Sequence, residues 1–168
     1  MSFWEEVLKL KNSSKAKVMW EIAADATYYE NLGEVERIAK QMDAVSLNMT
    51  EAKNLFGTED SQEIIHNLQS WNIELIFLRR GAKGAIMITP CEAIEVPSQP
   101  NVNVVDPTGG GNSSTGAVLC GLVEGYSPEA CGKMGSISAA MCISQHGVPE
   151  FITVDMRSEA RKRAGIEE

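Results

Sequence analysis

The sequence predicts an α/β fold: a sheet covered by helices, parallel in its first part and carrying an antiparallel hairpin in its second. Three observations predict it. Apolar stretches of strand length alternate with stretches whose apolar residues recur at helical spacing. Two short strands then follow each other closely, and a β-branched run leads through a glycine turn into an apolar helix.

Taken in order, Ser2 is an N-cap for a short helix through Lys11, with Phe3, Trp4, Val7 and Leu8 on one side. Lys17 to Trp20 reads as a strand. Leu32, Val35, Ile38 and Ala39 predict a helix from about Tyr28 to Gln41, although Gly33 weakens it. Ala44 to Leu47 is the next strand, ending at Asn48. Met49 to Phe56 reads as a helix stopped by Gly57, and Ser61 caps another through Ser70. Ile73 to Leu78 is a buried strand, Gly81 to Gly84 a turn into Ala85 to Ile88, and Ala93 to Val96 a further strand ending at Pro97.

Val102 to Val105 reads as the central strand, leading through Asp106 to Gly116 into a buried helix over Ala117 to Val123. Gly125-Tyr126-Ser127-Pro128 stops that helix and starts another, with Ser127 as N-cap and Pro128 at the first helical position. This last helix runs to about Gln145 and stops at Gly147. Its Gly132, Gly135, Ser136, Ser138, Ala139 and Ala140 imply that something packs very close, either the preceding helix or a flat ligand. The tail from Asp155 to Glu168 mixes both charges and reads as a solvated helix.

With 168 residues, 43% of them hydrophobic, and 14 glycines, the chain suits one compact domain over residues 1–168, with no linker or repeat. A net charge of −8 argues against a nucleic-acid surface or an anionic membrane as partner, since both need a positive field. No stretch approaches the ~20 apolar residues of a membrane span, and the N-terminus lacks the pattern of a secretory leader. Cys91, Cys120, Cys131 and Cys142 form no metal-binding pair and read as reduced, mostly buried thiols of a cytoplasmic protein.

Gly109, Gly110 and Gly111 carry no Cβ, so their N–H groups can approach a ligand closely, and the following helix adds unpaired donors and a positive dipole end. The turn suits a phosphoryl group or another anion, with Asp106 arranging the loop or a metal ion; a plain strand-to-helix connection is the alternative. Ligands in open α/β sheets sit beyond the carboxyl ends of the strands, where Asn48, Arg79, Arg80 and Asp106 to Asn112 all fall. A Walker A loop is excluded because Gly111 is followed by Asn112 and Ser113, and a dinucleotide fingerprint because Ser114 stands where its third Gly belongs. Glu21, Asp25, His66 and His146 read as exposed or structural groups.

Asp106-Pro107-Thr108-Gly109-Gly110-Gly111-Asn112, with the turn and helix after Leu122, resembles the C-terminal motif of the ribokinase-like sugar kinases, the PfkB carbohydrate kinase family. That motif is Asp, two variable positions and Gly-Ala-Gly-Asp. Asn48-Met49-Thr50-Glu51 is similar to the family's Asn-x-x-Glu segment, and Arg79 to Gly84 to its Thr-x-Gly-x-x-Gly turn. The resemblance runs from about Lys17 to Phe151. It implies the C-terminal, nucleotide-binding part of a ribokinase-like three-layer α/β/α fold, truncated at its N-terminus, and an activity of ATP-dependent phosphoryl transfer to a sugar or related alcohol. By the same resemblance Gly109 to Gly111 form an anion hole, and Glu51 with Asn48 helps hold Mg²⁺ and phosphates. Gly81 and Gly84 lie near the nucleotide phosphates, and the helix from Pro128 flanks the adenine. Independently of family, Asn48 to Glu51 can serve just to cap a helix.

Departures from the family pattern at four of the matched positions bear on the chemistry. Asn112 replaces the Asp that takes the proton from the substrate hydroxyl, and a neutral amide cannot serve as that base. Arg79 replaces Thr, offering either a forked phosphate contact or a solvated charge beside Arg80. Ser114 stands at a commonly aromatic position and Ser136 where Asn is common in the adenine site. The family's N-terminal half, with its lid and most sugar-binding residues, has no counterpart in the chain. An exposed sheet edge would then call for a second copy or a partner chain. With Asn112, this motivates an alternative reading as a catalytically impaired nucleotide-binding pseudokinase or assembly partner.

Overall fold

The structure, a computed structural model, describes residues 3–147 and 153–166. The expected cap Ser2, Phe151 at the end of the family resemblance, and the tail's end at Glu168 lie outside the described residues. Five strands form one mixed, mostly parallel sheet in the order β1-β2-β3-β4-β5, and the backbone divides into two compact units, Met1–Leu78 with Ile88–Ala93 and Arg79–Met87 with Ile94–Glu168.

In the first unit, helix α1 (Phe3–Ser13) sets Trp4 edge-to-face on Trp20 of β1 (Met19–Glu21), with ring centroids 4.7 Å apart. Strand β1 pairs in parallel with β2 (Ala44–Asn48) in the register Met19 with Ala44 and Glu21 with Ser46. Asp43, just before β2, accepts the Val18 N–H at 2.8 Å and lies 3.4 Å from Lys11, so one carboxylate ties α1 and the entry of β1 to β2. The helix expected from Tyr28 starts as a 3-10 turn over Tyr29–Asn31 and becomes α2 over Leu32–Ala39, burying Val35, Ile38 and Ala39. Helix α3 spans Met49–Phe56. Helix α4 spans Ser61–Ser70, but its cap is Asp60 rather than Ser61: the Asp60 carboxylate accepts the N–H groups of Gln62 and Glu63. In β3 (Leu75–Arg79) the four residues from Leu75 to Leu78 are all buried, as in an interior strand covered on both faces.

In the second unit, a 3-10 turn over Gly81–Lys83 leads into β4 (Ala85–Ile88), and β5 (Ala93–Val96) follows; the link between these strands, Ile88–Ala93, counts with the first unit and is closed by a bond from Thr89 N–H to the Glu92 carbonyl. Helices α5 (Gly110–Val123), α6 (Pro128–Ile143) and α7 (Val154–Ala164) complete it. Ser127 caps α6 by accepting the Ala130 N–H, as expected. The small residues of α6 do mark close packing. A Cβ on Gly132 would lie 2.7 Å from Val96 Cγ2 and 2.8 Å from Met87 Cγ, and one on Gly121 of α5 would lie 2.8 Å from Cys131 Sγ. The neighbours are therefore α5 and the strands.

Three expectations need correction. Val102 to Val105 form no strand: the N–H groups of Val105 and Asp106 both bond to the Ile143 carbonyl at the end of α6, and Val104 is 56% exposed. β-branched residues favour a strand only where a sheet neighbour accepts their backbone, and here a helix terminus takes it. Helix α5 is buried on one face only, through Gly110, Ser114, Val118 and Gly121, with Val123 61% exposed. The cysteines are free but not mostly buried, since Cys91 and Cys120 are exposed, Cys142 is partly buried and Cys131 alone is buried. The exposed, charge-mixed tail helix α7 matches its expectation. Among the described residues no helix is long and apolar enough to cross a membrane.

Two measurements follow from this packing. Gly84 adopts φ +81°, and a Cβ there would sit 2.7 Å from Ser98 N and 2.8 Å from Pro97 C, both backbone atoms. Combining conformational strain with overpacking, Gly84→Ala is expected to destabilise by roughly 3 kcal/mol or more in urea unfolding. An unchanged midpoint would contradict the packing. Burial pushes the Cys131 thiol up to about 11, so at pH 8 Ellman's reagent should label Cys91 and Cys120 first and reach Cys131 only on unfolding. Equal labelling rates for Cys131 and Cys91 would count against this burial.

Candidate functional site

The glycine turn is built from its flanks inward. Asp106 accepts the Thr108 N–H at 2.9 Å, closing a short local turn. That bond, with Thr108's hydroxyl and then the charge of His146, holds the Asp106 carboxyl below the usual carboxylate range. Gly109 takes φ +82° at the position before α5, a left-handed conformation that glycine adopts without strain. Gly110 and Gly111 make the first turn of α5, and each is small for a different reason. A Cβ on Gly110 would stand 2.7 Å from Ile143 Cγ2 of α6, whereas one on Gly111 would run into Nη1 of Arg79.

The start of α5 differs electrostatically from every other helix of the described chain. The other six carry an acid in the first turn: Glu5 and Glu6 in α1, then Glu34, Glu51, Glu63, Glu129 and Asp155. Helix α5 carries none, and no side chain caps its N-terminus. Within the turn the Gly110 N–H donates to the Pro107 carbonyl at 3.3 Å, and at the dipole end of α5 the half-buried Arg79 sets a guanidinium beside Gly111. A tetrahedral oxyanion suits this combination of close backbone donors and one forked cation.

Arg80 is used differently from Arg79: it pairs with Glu95 at 3.0 Å and reaches the Lys83 carbonyl, fastening the turn that carries Gly81 and Gly84. Ser98 Oγ donates to the Ala82 carbonyl at 2.7 Å, so the 96–98 segment holds this turn from the other side. Ser136 of α6 donates to the Pro97 carbonyl at 3.0 Å and accepts from Gln99 at 3.4 Å, which ties α6 to the same segment. Asn112, the third residue of α5, is exposed.

A cleft of about 700 Å³ lies between the 99–103 segment, α6 and α7, with Gln99, Asn103, Met141, Gln145, Met156 and Arg163 among its lining residues. The segment that lines it runs on into Asp106 and the glycine turn.

Asn48 and Glu51 belong to the first unit and form a reciprocal capping box on α3: Asn48 Oδ1 accepts the Glu51 N–H at 2.9 Å, and Glu51 Oε2 accepts the Asn48 N–H at 2.6 Å. The capping reading of this motif is therefore present in the structure. Among the described residues no group of three or more His, Cys, Asp or Glu side chains could hold a metal ion by themselves. Such an arrangement fits Mg²⁺ only where phosphate and water supply most of its ligands.

Sequence reasoning missed the pairing of Ser113 and Ser138, whose hydroxyls lie 2.6 Å apart and each bond to the other residue's carbonyl, locking α5 to α6 beside the glycine turn. The small-residue content of α6 was the available signal. His66 and His146 are exposed, as expected.

The chain is 30% identical over 148 residues to a cytidine kinase of Thermococcus kodakarensis, covering 85% of this chain and 53% of that protein. Among solved structures it superposes on a probable sugar kinase from Rhizobium etli CFN 42 with TM-score 0.83 and 25% identity, over 96% of this chain and 48% of the other. It also superposes on a fructokinase from Vibrio cholerae O395 in a fructose-, ADP- and calcium-bound form, with TM-score 0.61 and 27% identity, over 70% of this chain and 40% of that one. The chain thus spans about half the length of the cytidine kinase and the sugar kinase. The family model for pfkB family carbohydrate kinases matches residues 3–153, and on that match over most of its length the chain belongs to the pfkB family.

Proposed function

We propose that residues 1–168 are the C-terminal, nucleotide-binding half of an ATP-dependent kinase that phosphorylates a hydroxyl of a sugar or related alcohol, a nucleoside's ribose included. The observation that carries this is the uncapped, acid-free N-terminus of α5 with the Arg79 guanidinium against Gly111. In this reading the N–H groups of Gly109 to Gly111 stabilise charge on the transferring phosphoryl group, since phosphoryl transfer is catalysed mainly by positioning and electrostatics. Arg79 adds a forked cation where the family pattern has a neutral Thr. Asp106 holds the turn through Thr108, the turn at Gly81 and Gly84 approaches the phosphates, and Ser136 with its face of α6 flanks the base. Sugar and nucleoside kinases among the relatives support the substrate class, and ADP in the Vibrio cholerae fructokinase supports the donor.

By the family resemblance, Glu51 and Asn48 would help hold a hydrated Mg²⁺ carried by the nucleotide's phosphates. When bound, it would neutralise phosphate charge. A cytoplasmic setting, where ATP is present, goes with this reading.

Gly111→Ala is the sharpest test of the phosphate site, because its Cβ meets only the end of one flexible side chain. The variant should fold, with a melting temperature within a few degrees of the parent, yet bind Mg-ATP about tenfold or more weakly by calorimetry, as expected when a close donor is covered. Equal affinities would sink the reading. Asn112 lacks the base function, so Asn112→Asp should raise turnover on a panel of sugars and nucleosides by ~10²–10⁴. Matching rates in the two proteins would mean that proton removal does not depend on this position.

A further inference from the structure

We propose that helix α1 is a dimerisation surface: its apolar stripe of Phe3, Val7 and Leu10 seats antiparallel on the same stripe of a second copy of the chain, with Glu6 of each copy against the partner's Lys9. The surface lies wholly in the first unit and does not depend on the phosphate reading.

Helix α1 has two adjacent apolar stripes, and the first unit uses one of them. Trp4 meets Trp20 edge-to-face and Lys11 lies 3.4 Å from Asp43, so the side carrying residues 4 and 11 holds the helix to β1 and the entry of β2. Phe3, Val7 and Leu10 recur at the i, i+4, i+7 spacing of the neighbouring stripe. Phe3 is 71% exposed, Leu10 is 69% exposed and Val7 is half-buried. Single exposed apolar side chains are ordinary on a protein surface, but a stripe of them along a helix is the surface on which a second helix packs.

Charge complementarity selects the occupant. Glu6 and Lys9, both exposed and three residues apart, share the flank of the stripe that points away from Trp4. Phe3 with Leu10, and Glu6 with Lys9, are each centred on Val7 to within one residue. A two-fold axis through Val7 therefore brings both sets into register at once, with Phe3 over the partner's Leu10, Glu6 beside the partner's Lys9, and each contact made twice. In an antiparallel pair the same flank of both helices meets, so opposite charges face each other. Parallel helices would instead turn this flank toward the side of Trp4 and Lys11, which the first unit already uses. The pattern is its own complement, as a contact between identical surfaces requires. With 11 residues the helix is about 16 Å long, so the contact is small and suits a dimer of ~10–100 µM affinity.

Sedimentation velocity on the whole chain, from about 1 to 300 µM, should show the unmodified protein passing from monomer to dimer. Leu10→Glu should weaken the dimer at least about tenfold, because it places a carboxylate in the apolar contact. Glu6→Lys and Lys9→Glu should each weaken self-association about fivefold or more, since like charges then face each other. An equimolar mixture of those two variants should restore dimerisation to within about threefold of the parent, because every facing pair is again opposite. All three positions are exposed, so circular dichroism should show the parental fold in each variant. If Leu10→Glu unfolds, the charge exchange decides by itself. A chain that stays monomeric at the highest concentration overturns the proposal, as does a dimer indifferent to a folded Leu10→Glu. A dimer that the two charge variants leave unweakened, or that their mixture fails to restore, overturns the antiparallel pairing and the proposal with it.

Discussion

The close approach of α5 to α6 is the constraint on which the second unit depends. It needs Gly121 against Cys131, Gly110 against Ile143 and the paired hydroxyls of Ser113 and Ser138, all on the facing surfaces of two helices. Larger residues at these points would force the helices apart by sub-ångström amounts that close-packed interiors do not absorb cheaply. The glycine turn inherits its position from this contact. The end of α6 also supplies the carbonyl of Ile143 that receives the N–H groups of Val105 and Asp106, so the same helix fixes the segment entering the turn and the helix leaving it. Anion binding by backbone donors requires that kind of preorganisation, because the donors have no side-chain freedom with which to search for a ligand.

Much of this was legible in the sequence where one physical signal dominated. Gly57, Ser127 and Pro128 sit at helix boundaries because capping and backbone geometry are local, and the error of expecting Ser61 where Asp60 caps amounts to one residue between two good cap formers. The glycine turn was legible for the same reason: three residues without Cβ before an apolar run leave few alternatives. The failure at Val102 to Val105 has the opposite cause. Whether a β-branched run pairs in a sheet is decided by which acceptor reaches its N–H groups, and the Ile143 carbonyl lies far along the chain. The serine pair and the contact of Arg79 with Gly111 are invisible for that reason too. The 99–103 cleft needs three separate segments to meet, and no spacing in the sequence encodes its shape.

Electrostatically the site has shifted relative to the family pattern the sequence resembles. A neutral amide stands at 112 where that pattern has a carboxylate, and a cation stands at 79 where it has a hydroxyl. Both changes make the surroundings of α5 more positive, within a chain whose net charge is −8. In the proposed function they favour holding a phosphate over drawing a proton from an alcohol, so binding and turnover fall to different residues.

The contact between Gly110 and Ile143 also bears on how the sequence can drift. The family pattern places Ala where this chain has Gly110, yet here a methyl group would reach 2.7 Å from Ile143 Cγ2. The two positions therefore form a complementary pair, in which a larger residue in the turn has to be matched by a smaller one on α6. Neither can evolve alone without moving the backbone donors. In an alignment of close relatives such a pair would surface as covariation between a loop and a distant helix.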